Sequence, residues 1–184
     1  MTNLEFCKAR RKAEIPVFVK VLKAIPADRL DYRPDPKART AKELAWLLTC
    51  EEAGLVSLLE QGTVEWRDQP APARLEDIVA QFEQHAAVVN EKLEGMDEAG
   101  WDAKARFLMG EGGVWEDSIG QFVWGFLFDE IHHRGQLSTY LRPMGGGKSR
   151  RSTALRPTTR GNRHGGIAGR RQQHPEQRLP RESR

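Results

Sequence analysis

The chain has 184 residues, 39% of them hydrophobic and 30% charged, which suits one ordinary domain with a buried core and excludes two of typical size. Its net charge of +3 is unevenly spread, because residues 145–184 contain 11 basic and two acidic residues whereas residues 1–144 contain 18 basic and 24 acidic residues. The predicted folded part is therefore acidic, which argues against a basic nucleic-acid-binding domain, and its most apolar window, residues 119–128, is too short to span a membrane.

Apolar residues return every three or four positions in four stretches, and this period predicts an all-α protein. The first helix is predicted from about Leu4 to Ile25, with a kink or a late start at Pro16 because proline lacks an amide donor. The second helix is predicted to begin after Thr40, which forms a capping-box pattern with Glu43, and to end at Gln61. None of the stretches shows the sustained alternation of a strand.

The third helix is predicted from Leu75 to Met96, where the apolar period is unbroken. The segment from Ala103 to Met109 has mixed signals, and we expect it to be short and irregular or helical. The fourth helix is predicted to begin near Asp117 or Ser118 and to end before Pro143. Four amphipathic helices of similar length predict a four-helix bundle, and the long link before the fourth helix permits a crossover connection.

The chain is predicted to divide at a glycine run. Residues 1–147 are expected to form the bundle, and residues 148–184 to form a disordered, Arg-rich tail. The tail has few aliphatic residues and no aromatic residue, so it buries too little surface to offset the conformational entropy lost on folding. Without aromatic side chains to stack on bases, the tail is also a weak candidate for nucleic-acid binding, which we rank last among the functions considered.

Ionisable residues that face the core are the candidate functional residues, because a buried charge requires a partner. A rotation of about 100° per residue in the fourth helix turns His133 towards the core, places Asp129 and Glu130 on either side, and turns His132 towards solvent. In the second helix, Glu51 interrupts the apolar stripe. An inward carboxylate needs a cation, a hydrogen-bond donor or a metal, and His133 is its expected partner.

These residues alone leave two interpretations open. In the first, His133 binds one face of a divalent ion together with Asp129 or Glu130, and Glu51 closes the site from the facing helix. Carboxylates with one imidazole suit Mn, Fe, Ni or Zn, and bundles hold metals through inward-facing Glu-x-x-His pairs. In the second, Glu51 pairs with His133 or with Arg134 in a buried structural network that binds no metal.

The fourth predicted helix carries the segment from Asp129 to Arg142, which reads DEIHHRGQLSTYLR and resembles the HHRGQLS-YLR block of the DinB-like family. Two weaker blocks, Leu30 to Pro34 and Glu43 to Trp46, match in the same order. The resemblance covers residues 1–147. It implies a four-helix bundle of the damage-inducible group, with a divalent metal, often nickel or zinc, held by three histidines. Some relatives are thiol-dependent transferases or isomerases.

The three histidine positions that the resemblance implies fall on Leu47, Asp129 and His133. Only His133 matches, since leucine cannot bind a metal and Asp129 offers oxygen in place of nitrogen. Glu51 lies one turn after Leu47 and is expected to substitute for the missing histidine. The resemblance thus implies a divalent-metal-dependent enzyme with a degenerate site, of the thiol-dependent transferase or hydrolase type, acting on a small molecule or a thiol. The alternative is a metal-free binding or scaffold bundle without catalytic activity.

The chain is expected to be a cytoplasmic protein without a membrane partner. Its N-terminus lacks the pattern of a signal peptide, and Cys7 and Cys50 have no spacing typical of a metal or disulfide motif. Aromatic-rich bundle edges favour a homodimer.

The tail carries a separate hypothesis. Relatives continue after the fourth-helix block as Lys-Val-Pro-Ser-Ile-Tyr-Gly-Pro, and a permitted codon choice for Gly147 to Arg156 encodes that sequence when it is shifted by two bases. We therefore hypothesise that the tail is a frameshift product. Resequencing the locus tests this, and independent clones that share an intact Arg-rich reading frame would contradict it.

Overall fold

A computed structural model describes residues 1–66 and 69–145. Within these ranges the chain forms three strands, β1 Thr63–Glu65, β2 Lys104–Leu108 and β3 Val114–Ser118, and five helices, α1 Asn3–Lys23, α2 Ala41–Gln61, α3 Leu75–Glu94, α4 Glu98–Trp101 and α5 Ile119–Leu141. The long helices α1, α2, α3 and α5 confirm the predicted four-helix bundle. No helix in the described ranges combines the length and the hydrophobicity that a membrane crossing requires. The predicted tail, residues 148–184, lies outside the described residues.

Local chemistry sets the ends of the two helices that carry the candidate site. Thr40 caps α2, since its hydroxyl accepts from the Glu43 amide at 3.1 Å and the Glu43 carboxylate accepts from the Thr40 amide at 2.6 Å. Gly62 ends α2 with φ of 65°, a left-handed conformation that glycine adopts without steric cost. At the start of α5, the Ser118 hydroxyl accepts from the Gln121 amide at 3.2 Å. The predicted bounds of both helices are therefore confirmed.

The first helix begins at Asn3 and continues through Pro16, where a late start was one of the two expectations. A capping box between Thr2 and Glu5 starts α1 at Asn3, so the expected late start at Pro16 is wrong. Proline removes one amide donor from the helix, but Phe18 and Leu22 beyond it are fully buried. Their burial against the other helices offsets the lost hydrogen bond and lets α1 continue past Pro16.

A three-stranded sheet in the order β1-β2-β3 was missed by the sequence interpretation. β1 runs parallel to β2, and β2 pairs antiparallel with β3, with Phe107 opposite Trp115. The expectation that residues 103–109 are irregular or helical is therefore wrong. Strands of three to five residues are too short for their alternation to be recognised, and β1 pairs with a segment about 40 residues further along the chain. β1 follows α2 directly and contacts it, and β3 leads into α5 and contacts that helix, so the sheet lies beside α2 and α5.

The buried apolar residues form two clusters. One includes Phe18, Leu44, Phe82 and Leu137, and the other includes Leu4, Leu55, Val89 and Phe126. Along α1, α2 and α5, buried charged residues fall between the two clusters: Arg11, Glu51, Glu52 and Glu130. A polar layer therefore crosses the middle of the bundle, and it contains the candidate site.

Candidate metal centre

The polar layer brings together candidate ligands from α2 and α5. His133 Nδ1 lies 2.9 Å from Glu51 Oε1, and His133 Nε2 lies 3.8 Å from Asp129 Oδ1. One ligand atom from each of the three residues lies within 4.8 Å of the other two. The side chain of Glu51 is 2% exposed and that of His133 15%, whereas Asp129 is 60% exposed. Three of the four predicted ligands thus surround one point, with Asp129 on the solvent side.

Burial and hydrogen bonding adjust the protonation of the inner pair. Burial raises the pKa of Glu51 to about 7, against the opposing effect of its hydrogen bond with His133. The same hydrogen bond raises the pKa of His133. The second carboxylate oxygen of Glu51, Oε2, is buried and has no hydrogen-bond partner among the described residues. Since buried polar atoms are normally satisfied, this oxygen is available to a cation or to a donor from a ligand.

Glu130, the fourth predicted ligand, lies in a different cluster of the polar layer. It is fully buried beside Arg11, whose Nη1 is 3.9 Å from Glu130 Oε2. Arg11 Nη2 also donates to both oxygens of Glu52, at 2.8 and 2.9 Å, and its Nε donates to Asn90 Oδ1 at 3.2 Å. Burial, with the negative charge of Glu52, raises the pKa of Glu130 well above its usual value. These four residues come from four different helices, so the cluster ties the bundle together.

The sequence interpretation did not identify this second cluster. Its only signal was that Arg11 and Glu52 occupy positions at which an amphipathic helix would carry apolar residues. The alternative pairing of Glu51 with Arg134 does not occur either. Arg134 instead forms an ion pair with Glu14 of α1, and its guanidinium lies 4.6 Å from the centre of the Phe18 ring. Arg134 therefore contributes to the packing of α5 against α1.

The candidate ligands open onto a cleft of about 920 Å³ that they share with an aromatic wall. Phe107 of β2 is central to this wall, with ring centres of three aromatic residues 6.0 to 6.4 Å away, namely Trp66, Phe122 and Phe126. Trp115 of β3 packs edge-on against Phe122 at 5.0 Å and is 52% exposed. Trp66 and Trp115 both line the cleft.

The three positions that the family resemblance implied for histidine all line this cleft. Leu47 of α2 lies in the wall together with Glu51, Asp129 and His133. Leucine provides no ligand atom, and Glu51 offers a carboxylate from the same helix one turn later. Arg39, which precedes α2, also lines the cleft and is exposed. The cleft therefore combines a polar wall, formed by Glu51, Asp129 and His133, with the aromatic wall and the cationic side chain of Arg39.

Comparisons with known proteins agree with this architecture. The structure is similar to a DinB-like protein from Bacillus subtilis, with a TM-score of 0.60 and 17% identity over 77% of this chain and 93% of that chain. A DinB-like protein from Bacillus cereus gives a TM-score of 0.60 and 19% identity over 72% of this chain and 86% of that chain. No curated protein matches the sequence. A family model described as the DinB superfamily matches residues 12–137, which is more than half of the sequence. The chain therefore belongs to the DinB superfamily.

Proposed function

We propose that the chain binds a divalent metal ion through Glu51, Asp129 and His133, as the centre of a metal-dependent transferase or hydrolase. The observation that carries the proposal is the convergence of three ligand atoms within 4.8 Å at the wall of a cleft. Glu51 Oε2 supports it, because this buried oxygen has no hydrogen-bond partner among the described residues, whereas the oxygens of a structural carboxylate normally have one.

The donor set fits a borderline divalent ion. Two carboxylates and one imidazole suit Mn, Fe, Ni or Zn, and three protein ligands leave a position for a substrate atom. Glu51 and His133 share a hydrogen bond at 2.9 Å, so an ion held between them would replace the proton of that bond. Asp129 is mostly exposed and would complete the set from the solvent side.

A divalent ion at this position would act as a Lewis acid and lower the pKa of a bound water or thiol. The residues of the chain would do the remaining work. Because burial raises the pKa of Glu51 to about 7 in the metal-free chain, this carboxyl group would release its proton when the ion binds. The aromatic wall would hold the apolar part of a substrate and exclude water from the polar wall.

Metal content tests the first part of the proposal. The full chain is purified, stripped with a chelator and offered Mn, Ni or Zn in turn, and the bound metal is measured by elemental analysis and calorimetry. We expect about one equivalent for at least one of these ions, lost in His133→Ala because the imidazole ligand is gone. His132→Ala is the matched control, since His132 is exposed on the same helix, hydrogen-bonds to Gln136 and is not one of the three proposed ligands. An unaltered chain that binds none of the three ions contradicts the proposal.

Activity tests the second part. The metal-loaded chain is incubated with a chromogenic aromatic electrophile, with and without a small thiol, and separately with a chromogenic ester. Turnover that requires both metal and thiol indicates a transferase, whereas metal-dependent ester cleavage without thiol indicates a hydrolase. Loss of either activity in His133→Ala, with retention in His132→Ala, would assign the activity to this site.

A metal-free binding or scaffold bundle is the second candidate. Two observations favour it: Leu47 occupies a position where the family resemblance implies a ligand, and Glu51 Oε1 already bonds to His133. In this case none of the offered ions binds, and Glu51→Gln changes the stability of the chain without any effect of metal. The metal-content experiment therefore separates the two candidates.

A further inference from the structure

We propose that the cleft binds a small molecule with a flat apolar body and a single carboxylate, and that Arg39 recognises the carboxylate. The inference rests on the proposed function, since it names the substrate class of the same cleft. It is carried by two features, the aromatic wall and the cationic side chain beside it.

The aromatic wall defines the body of the ligand. Trp115 and Phe128 line the cleft although they are 52% and 63% exposed, and an exposed aromatic patch of this kind is typical of a binding surface. The ring planes of Trp66 and Phe107 are nearly parallel, 18° apart, so a planar ligand can pack against both rings in one orientation. A cleft of about 920 Å³ lies within the size range of small-molecule sites. A planar ring system matches this surface better than a branched aliphatic group does, because rings pack face to face or edge to face.

Arg39 defines the charge of the ligand. No described residue forms a hydrogen bond or an ion pair with its guanidinium, while its backbone carbonyl accepts from the Tyr140 hydroxyl at 3.2 Å. The backbone is thus anchored and the side chain remains available. Arg39 lines the cleft together with Glu51, Asp129 and His133, so its side chain lies beside these polar residues. A guanidinium presents paired donors that match the two oxygens of a carboxylate.

A cationic ligand is the rival, because aromatic faces and Asp129 would both attract it. The acidic side chains of the polar wall already have a partner in His133. Glu51 is hydrogen-bonded to His133, and Asp129 Oδ1 lies 3.8 Å from Nε2 of the same ring. Arg39 is the charged side chain of the cleft without such a partner among the described residues. A divalent ion on the polar wall would add positive charge and strengthen the preference for an anion.

The experiment compares three probes of the same shape, 2-naphthoate, 2-naphthamide and 2-naphthylmethylamine, by calorimetry on the full chain without metal. We expect 2-naphthoate to bind at least about tenfold more tightly than the amide, because even one of the paired hydrogen bonds from Arg39 accounts for that factor, and the amine to bind most weakly. In Arg39→Gln the acid and the amide should bind equally. Lys37→Gln is the matched control, because it removes the same charge from an exposed site in the same loop that does not line the cleft.

Trp115→Ala tests the aromatic wall independently. It should weaken the acid and the amide by the same factor and leave their ratio unchanged. Equal affinities of acid and amide in the unaltered chain, a preference for the amine, a preference for the acid that survives in Arg39→Gln, or failure of all three probes to bind would each overturn the inference. Because these measurements are made without metal, they succeed or fail separately from the metal-content experiment.

Discussion

Glu51 links the stability of the fold to the protonation of the site. Burial holds its pKa at about 7, above the ordinary 4.5, and its hydrogen bond raises the pKa of His133. The folded chain therefore binds more protons than the unfolded chain between these values. Since the unfolding free energy falls with pH wherever the folded state holds more protons, the stabilisation from protonated Glu51 is complete below about pH 4.5 and lost as the pH rises through about 7.

The prediction compares the unfolding free energy of the unaltered chain with that of Glu51→Gln. The amide of the glutamine resembles the protonated acid but does not titrate. Without metal, the unaltered chain should lose on the order of 3 kcal/mol relative to Glu51→Gln between pH 4.5 and pH 8. Urea unfolding at several pH values measures this difference. A difference that does not change with pH would show that Glu51 is not coupled to folding in this way.

Arg11 supports a second prediction at the same scale. Replacing it with Met leaves Glu52 and Glu130 buried without their cation, and we expect a loss of about 3–5 kcal/mol in the unfolding free energy. Lys12→Met is the control, because Lys12 is next to Arg11 in the same helix but its side chain is exposed. This substitution should change the unfolding free energy by less than about 0.5 kcal/mol. Adding Glu52→Gln to Arg11→Met should recover part of the loss, and no recovery would contradict the proposed pairing.

The sequence predicted part of the site, and the reason lies in where each residue falls within its own helix. Glu51 and His133 were found because each interrupts or joins an apolar stripe, which rotation about a single helix axis reveals. The bond between Arg11 and Glu52 was missed, because it depends on how two helices are placed relative to each other. Periodicity within one helix carries no information about that placement.

Among the structural elements, α5 contains glycines that have opposite roles in the same helix, namely Gly120 and Gly135. A Cβ atom at Gly120 would overlap the buried ring of Trp101, whereas a Cβ atom at Gly135 would meet nothing within 4 Å. Gly120 therefore lets α4 pack closely on the start of α5. Gly135 gains no such packing and only lowers helix propensity.

Alanine substitutions at these two positions should change stability in opposite directions. Gly135→Ala should stabilise the chain by about 0.5–1 kcal/mol through helix propensity. Gly120→Ala should destabilise it by about 1–3 kcal/mol, because the Trp101 ring has to move. Thermal and urea unfolding measure both variants. A stabilising Gly120→Ala would show that α4 shifts at little cost.

The helices were predictable and the sheet was not, for physical reasons. Each long helix contains several turns of repeated pattern, and α1, α2 and α5 also begin after a capping residue, such as Thr40 or Ser118. The strands are short, and the pairing of Thr63 with Arg106 joins distant parts of the chain. Pairing of this kind depends on the assembled bundle, so the part of the aromatic wall that β2 and β3 carry could not be recognised beforehand.

For the whole molecule, metal binding should stabilise the fold by mass action. An ion at about 100 times its dissociation constant stabilises the folded state by about 2.7 kcal/mol, which in a chain of this size corresponds to a rise of about 5–10 °C in Tm. The rise should occur in the unaltered chain and in His132→Ala and be absent in His133→Ala. Differential scanning calorimetry with Mn, Ni and Zn measures it, and an equal rise in all three proteins would place the ion elsewhere.

Part of the aromatic wall of the cleft lies outside the long helices that carry the polar residues. Glu51 and His133 belong to long helices that also hold the bundle together, whereas Phe107 and Trp115 belong to strands joined by a short hairpin. Substitutions in the hairpin can accumulate without altering the polar layer. Diverging descendants of this protein could thus acquire new ligands through residues 104–118 alone while inheriting the same reactive groups, and laboratory evolution of altered selectivity would best begin there.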